Sequence, residues 1–240
     1  MTYSSPKTKS FAFKQFKIHS GNAGMPVSTD GVLLGAWAEF NDSSQLLDIG
    51  VGTGLLSLML AQRYTTASIH GIDIEISAII DARHNIAQSP WHDRIQVTHG
   101  DIVRLPLEHR YSGIICNPPY FNSGEHALNQ QRATARHTAS LAHSELLLRC
   151  DQLLDDNGHA SFVLPLIEGE QFIDMACKQG WNLARCCLVR ATEKKAVNRV
   201  LFTICKQQTV LKQETLVIHS ANGGYSEAFI HLTRDFYLKM

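Results

Sequence analysis

Four short patterns in this 240-residue chain put acids, glycines and hydrogen-bond acceptors where strands should give way to loops. The first is Asp48-Ile49-Gly50-Val51-Gly52-Thr53-Gly54. Glycines at alternate positions let a loop turn sharply and let a ligand lie against bare backbone, while Asp48 offers a carboxylate to a ligand's amino group. The second is Gly71-Ile72-Asp73, 25 residues after Asp48, whose carboxylate can accept from two sugar hydroxyls. The third is Gly100-Asp101-Ile102, in which Asp101 can accept from a heterocyclic amino group and Ile102 can pack on the ring. The fourth is Asn117-Pro118-Pro119-Tyr120.

The glycine loop lacks the pyrophosphate fingerprint. G-x-G-x-x-G begun at Gly50 needs glycine at 55, and begun at Gly52 needs it at 57; the chain has Leu55 and Ser57. The remaining pattern suits an amino acid joined to a nucleoside, with no phosphate to cradle. In the fourth pattern two prolines fix the backbone and remove two N–H donors. The Asn117 side-chain oxygen and the Pro118 carbonyl remain as acceptors, a set that suits an –NH2 group with two hydrogens to give. Holding both hydrogens draws the nitrogen out of conjugation and aims its lone pair. Tyr120 offers a face for a planar base. Each pattern alone also has an ordinary structural reading: a glycine turn, a helix-capping acid, a rigid Pro-Pro turn. Their succession within one βαβαβ run favours the ligand-binding reading.

The elements that must position these patterns alternate. Strands are expected at 45–49, 68–72, 95–99, 112–116 and 159–164. Helices are expected at 29–40 (capped by Thr29 or Asp30), 55–64, 76–88, 142–154 (closed by Asn157-Gly158) and 168–178. This is a doubly wound, mostly parallel α/β sheet with right-handed crossovers. Segments 184–189 and 200–205 follow each other across a turn, so an antiparallel hairpin is expected at the sheet edge. A further strand at 213–218 and a helix or extended segment at 226–238 close the chain.

Apolar residues make up 44% and charged residues 18%, as in a soluble globular protein, and no run of 18 apolar residues suggests a membrane span. Met1 to Ser10 lacks the apolar stretch of a secretory signal, so a cytoplasmic location is expected. The six cysteines form no C-x-x-C pair and read as buried free thiols, and the twelve histidines are scattered, so no metal is expected. Net charge is zero but unevenly spread. Residues 1–29 carry Lys7, Lys9, Lys14 and Lys17 and no acid. Residues 185–212 carry Arg185, Arg190, Lys194, Lys195, Arg199, Lys206 and Lys212 against Glu193 alone, a balance of +6. Two such stretches point to an anionic partner, with Lys14, Lys17, Lys194, Lys195 and Arg199 as candidate contacts to it.

The glycine loop resembles that of class I methyltransferases, and the whole chain resembles the bacterial tRNA1(Val) adenine-N6 methyltransferase family. Three stretches carry the likeness: Phe13-Lys14-Gln15-Phe16 through Val27-Ser28-Thr29-Asp30-Gly31-Val32-Leu33-Leu34-Gly35-Ala36-Trp37; the core from Leu47 to Tyr120; and Phe229-Ile230-His231-Leu232-Thr233-Arg234-Asp235-Phe236-Tyr237-Leu238. The resemblance implies a seven-stranded class I methyltransferase sheet with S-adenosyl-L-methionine as cofactor. It implies a loop adenine of tRNA, next to the anticodon, as substrate. Cofactor-binding residues would be Thr29, Asp30, Asp48, Gly50, Gly52, Gly54, Asp73, Asp101, Ile102 and Asn117; catalytic residues would be Asn117, Pro118, Pro119 and Tyr120. One methyltransferase domain over residues 1–240, monomeric, with residues 1–40 as a basic, lid-forming extension, is expected. The acceptor motif by itself also admits a protein glutamine amide or a guanine amino group in ribosomal RNA. A separate DNA-recognition domain is not visible, and a pure RNA-binding module would not need Asp73 and Asn117 intact.

Overall fold

The structure, a computed structural model, describes residues 10–21, 27–41, 45–118 and 143–239. Lys7, Lys9, Pro119 and Tyr120 lie outside the described residues.

In chain order the elements are β1 (Ser10–Ala12), β2 (Lys17–His19), α1 (Thr29–Trp37), β3 (Gln45–Ile49), α2 (Leu55–Arg63), β4 (Ser68–Asp73), α3 (Ile76–Ala87), β5 (Ile95–His99) and β6 (Tyr111–Cys116). There follow α4 (His143–Leu153), β7 (Leu154–Pro165), α5 (Leu166–Lys178), β8 (Asn182–Thr192), β9 (Val197–Cys205), β10 (Lys212–His219) and α6 (Glu227–Thr233). The main sheet runs β10-β8-β9-β7-β6-β3-β4-β5. β3 pairs parallel with both β4 and β6. The chain therefore leaves β3 in one direction and returns on its other side, and that switch point is where an open α/β sheet opens a crevice at its carboxyl edge.

Alternating side chains supply both faces of this sheet. Leu46 of β3 joins the core cluster of α1, α2 and α3, and Leu47 and Ile49 join the one that holds α4 and α5. The helix α1 buries every residue from Gly31 to Trp37. Its cap is Ser28, whose hydroxyl accepts from the Gly31 N–H at 3.0 Å, rather than Thr29 or Asp30.

Two expectations change in detail. The β8–β9 hairpin is present but does not form the edge: β10 pairs parallel with β8 along Lys212–His219 and takes that place, giving eight strands instead of seven among the described residues. Asn157-Gly158 closes no helix. α4 ends at Leu153 and β7 begins at once, with a register shift against Tyr111 to Gly113 that absorbs the extra residues. A side chain at Gly158 would come within 2.7 Å of Leu154, so glycine suits that irregular strand.

The two ends of the chain meet. β1 and β2 form a small antiparallel hairpin; Phe13 then bridges to Tyr237, and the Lys14 N–H donates to the Phe236 carbonyl at 2.8 Å. Phe13, Phe16, Phe229 and Phe236 are all buried in the same core cluster as α1 and α2.

Candidate active site

The crevice is built from the carboxyl ends of β3, β4 and β6. Gly50 and Val51 donate their N–H groups to the Ile72 carbonyl at 2.8 and 3.0 Å, and Gly52 N–H donates to Asp73 Oδ2 at 2.9 Å. These bonds fold the loop back on the end of β4. Gly52 and Gly54 sit at φ +54° and +85°, conformations that a side chain would strain, and Gly54 is also the left-handed N-cap of α2. At Gly50 a Cβ would meet nothing within 4 Å, and at Gly52 only the Gly50 carbonyl at 3.9 Å. The loop thus presents bare backbone to open space.

Asp48 lies beneath it, fully buried. Its Oδ2 accepts from the Ser57 hydroxyl at 2.6 Å and the Ser57 N–H at 3.0 Å, while its Oδ1 has no hydrogen-bond partner among the described residues. Burial pushes its pKa from 3.8 up to about 7, the Ser57 bonds opposing and Asp73 adding to the rise. A buried acceptor left without a donor is costly, and a cationic ligand group is the partner that removes the cost. Asp73 accepts from Gly52 and, through Oδ1, from the Glu75 N–H at 3.0 Å. Burial raises its pKa too, against those two backbone bonds. The loop and the two acids fit S-adenosyl-L-methionine: a bare backbone cradle, a buried acceptor for an ammonium, and a fixed carboxylate one strand over for hydroxyls.

Asp101 stands two residues beyond β5, with Oδ1 accepting from Val103 N–H at 3.0 Å and Arg104 at 3.5 Å from Oδ2. Ile102 is buried in the cluster of the α4 face. Arg149 of α4 pins this turn, donating to the Ile102 carbonyl at 2.8 Å and the Leu105 carbonyl at 2.5 Å. Asn117 follows β6 directly, half-buried, with Pro118 buried behind it. The first turn of α1 packs against the motif: a Cβ at Gly31 would lie 3.0 Å from Leu55 and 4.0 Å from Asn117 Nδ2. Cys116 beside it is buried, and burial holds its thiol well above the usual range, so it is no nucleophile.

Sequence reasoning missed several supports. Buried Asn85 of α3 takes the His19 N–H at 2.9 Å and gives its amide hydrogens to the Thr53 carbonyl at 2.9 Å and the His19 carbonyl at 3.1 Å. It ties the N-terminal hairpin to the glycine loop. Ser57 holds Asp48, and Arg149 holds the Asp101 turn. The signal for Ser57 was in view, since it stands where the dinucleotide fingerprint would have glycine.

The basic segments change character. Arg199 Nε lies 2.8 Å from Asp30 Oδ2 in a half-buried pair, joining a residue expected on RNA to one expected at the cofactor. Arg185 bridges Glu39 and Glu214 at 2.8 and 2.7 Å and stacks on the Trp37 ring, while Lys206 pairs with Asp151. Those three cations clamp elements together, so the balance of +6 overstates the charge offered to solvent. Lys14, Lys17, Lys194 and Lys195 are exposed and make no ion pair among the described residues, although Lys14 Nζ donates to the Arg234 carbonyl at 2.5 Å. No group of three His, Cys, Asp or Glu among the described residues could hold a metal ion, and no described helix is long and apolar enough to cross a membrane.

Comparison with known proteins agrees with this fold. Residues 31–165 match the family model for the methyltransferase small domain. The tRNA1(Val) (adenine(37)-N6)-methyltransferase of Vibrio campbellii is 57% identical over 234 residues, covering 98% of both chains. That of Aliivibrio fischeri is 50% identical over 233 residues, covering 97% of this chain and 99% of the relative. Among solved structures, a predicted O-methyltransferase from Agrobacterium tumefaciens superposes with a TM-score of 0.68 at 17% identity, covering 86% of this chain and 96% of that one. The glycopeptide N-methyltransferase MtfA complexed with (S)-adenosyl-L-methionine gives 0.57 at 12% identity, covering 79% and 94%. At those identities the structural likeness shows the fold.

Proposed function

The chain belongs to the family of tRNA1(Val) (adenine(37)-N6)-methyltransferases, and we propose that it methylates the N6 amino group of the adenine at position 37 of tRNA1(Val), using S-adenosyl-L-methionine. The observation that carries this is the meeting, at one switch point, of a side-chain-free glycine cradle over Asp48 and Asp73 with an acceptor motif that begins at Asn117.

S-adenosyl-L-methionine supplies a methyl carbon made electrophilic by its sulfonium. The protein's part is to bind, orient and exclude. Asp48 Oδ1 would take the ammonium, Asp73 the ribose hydroxyls, and Asp101 the adenine amino group of the cofactor; Gly50, Gly52 and Gly54 would keep the backbone close. The first turn of α1, which carries Thr29 and Asp30, borders the cleft through Gly31 on the side of Asn117. Asn117 and the Pro118 carbonyl hold the two hydrogens of the target amine, so its lone pair faces the incoming methyl. Pro119 stiffens the motif, and Tyr120 stacks the base. The methylated amine sheds its extra proton readily, so no strong general base is needed; positioning and carbonyl dipoles lower the barrier. Lys14, Lys17, Lys194 and Lys195 grip phosphates of a single-stranded loop, which delivers an unstacked adenine at less cost than a duplex. Residues 1–240 act as one cytoplasmic, monomeric domain, with 1–40 supplying basic and lid-forming parts.

Transfer of labelled methyl to tRNA, to release factor and to ribosomal RNA tests the reading. Label in tRNA alone supports it. Label in a protein glutamine or in ribosomal guanine would leave only the amino-methyltransferase class.

A further inference from the structure

A second cavity, of about 230 Å³, opens at the same carboxyl edge of the sheet but away from the glycine loop. Its walls come from α1, the ends of β8 and β10, the start of β9, and the C-terminal segment. The floor is apolar, from Leu33, Val189 and Ile218. One side is aromatic. Tyr225 stacks on Phe229 with ring centroids 4.7 Å apart and on His219 at 5.3 Å, and Phe229 is buried. The rim is polar, with Asn198, Thr29 and the Asp30–Arg199 pair. Asn117 does not line it; the first turn of α1, whose Thr29 and Asp30 face the cavity and whose Gly31 abuts Asn117, stands between the two.

We infer that this cavity receives a second nucleobase of the RNA strand, one that flanks the target adenine. The assignment rests on the proposed function and says which part of the substrate the protein reads besides the reacting base. Size is the first reason. Pockets that enclose a drug-sized ligand run to about 300–1,000 Å³, so this one takes a base and excludes a whole cofactor. Chemistry is the second. An apolar floor beside exposed aromatic rings, with a few polar groups at the rim, binds a planar heterocycle by its face and reads it by its edge. Charge is the third. The β8–β9 turn at this edge carries exposed Lys194 and Lys195, which make no ion pair among the described residues, and an anionic backbone entering the cavity passes that turn. The Asp30–Arg199 pair lines the cavity, and Asp30 sits on the helix turn beside Asn117, so filling the cavity fixes the acceptor side of the cleft as well.

The probe is the anticodon stem–loop of tRNA1(Val), intact or with an abasic nucleotide on either side of the target adenine. Wild-type protein and Tyr225→Ala are compared by steady-state methyl transfer, with cofactor affinity followed by calorimetry. In the wild type one abasic substitution raises KM about tenfold, the loss of one base-stacking interaction. In Tyr225→Ala the intact RNA already shows that rise, the abasic RNA adds nothing, and kcat and cofactor affinity hold. Tyr225 is exposed, and Asn198→Ala provides a second variant should Tyr225→Ala lower the melting temperature. Penalties that multiply between protein and RNA, or no penalty from either, overturn the cavity assignment while leaving adenine methylation intact. A wild type that methylates no RNA overturns both.

Discussion

Asp48, Asp73 and Asp101 each stand within two residues of the carboxyl end of a parallel strand, and local bonds hold them there. Asp30 and Arg199, 169 positions apart, form one ion pair only because α1 crosses the start of β9. The cofactor half of the sheet, β3 to β5, is therefore made of repeated strand–loop units whose functional group travels with its own strand. The acceptor half is assembled from α1, β8 to β10 and both ends of the chain. Its charges and rings acquire meaning by whom they meet. A variant in the first half should disturb cofactor binding and leave RNA binding alone; a variant in the second should do the reverse.

The largest effect belongs to the residue where the halves touch. Asn117→Ala should retain cofactor affinity yet slow single-turnover methyl transfer by on the order of 3 kcal/mol, or more than a hundredfold. A near wild-type rate in rapid quench would remove the amino-group mechanism.

Asp73→Ala should weaken cofactor binding by about 1–3 kcal/mol in calorimetry, with tRNA affinity unchanged. Equal losses for both ligands would erase the division between the halves.

Asp48 adds a pH signature. Its carboxyl, at about 7 in the folded protein against 3.8, binds more protons folded than unfolded between those values. Its contribution to stability therefore falls as pH rises from 3.8 to about 7 and stays low above. Asp48→Asn should melt higher than wild type at pH 8, by on the order of 2 kcal/mol, and the gain should vanish towards pH 4. Cofactor affinity of the wild type should strengthen as pH rises through 7, and that of the variant should stay weak and flat. Parallel pH profiles of melting would mean that Asp48 is not the buried charge described.

The smallest effect per residue lies on the acceptor side. Neutralising Lys14, Lys17, Lys194 and Lys195 together should flatten the dependence of log affinity for tRNA on log salt, by about 0.7 for each single-strand phosphate that no longer meets a lysine. Cofactor affinity should not move. An unaltered slope in filter-binding titrations would place the RNA path elsewhere.

The same division explains how far the chain is legible from its residues alone. β3, β5 and β6 are legible because a short apolar or alternating run followed at once by Gly50, Gly100 or Asn117-Pro118 carries its own punctuation, and β4 because its apolar residues end at Asp73 just before a helical pattern. The glycine loop and Asn117 are legible because alternate glycines and an Asn-Pro-Pro run each follow a strand within one βαβαβ succession. The place of the eighth strand is harder: β10 buries only Leu216 fully, so its hydrophobic signal is faint, and its seat beside β8 comes from a parallel ladder to Arg185–Thr192 that no local pattern announces. Lys206 and Arg199 read as surface charge because nothing local to them names Asp151 or Asp30 as the partner. Asn85 is invisible for a related reason. A polar residue in mid-helix has meaning only through His19 and Thr53, which the chain places far from it.

The central claim is that the acceptor motif and the glycine cradle together act on one adenine amine in tRNA. It is tested most directly by incubating the purified protein with labelled S-adenosyl-L-methionine and two tRNA1(Val) transcripts, one with adenine and one with guanine at position 37, and mapping the label by nuclease digestion and mass spectrometry. The account predicts N6-methyladenosine at that single position in the first transcript and no label in the second. Label at another position, or equal label in both, would contradict it.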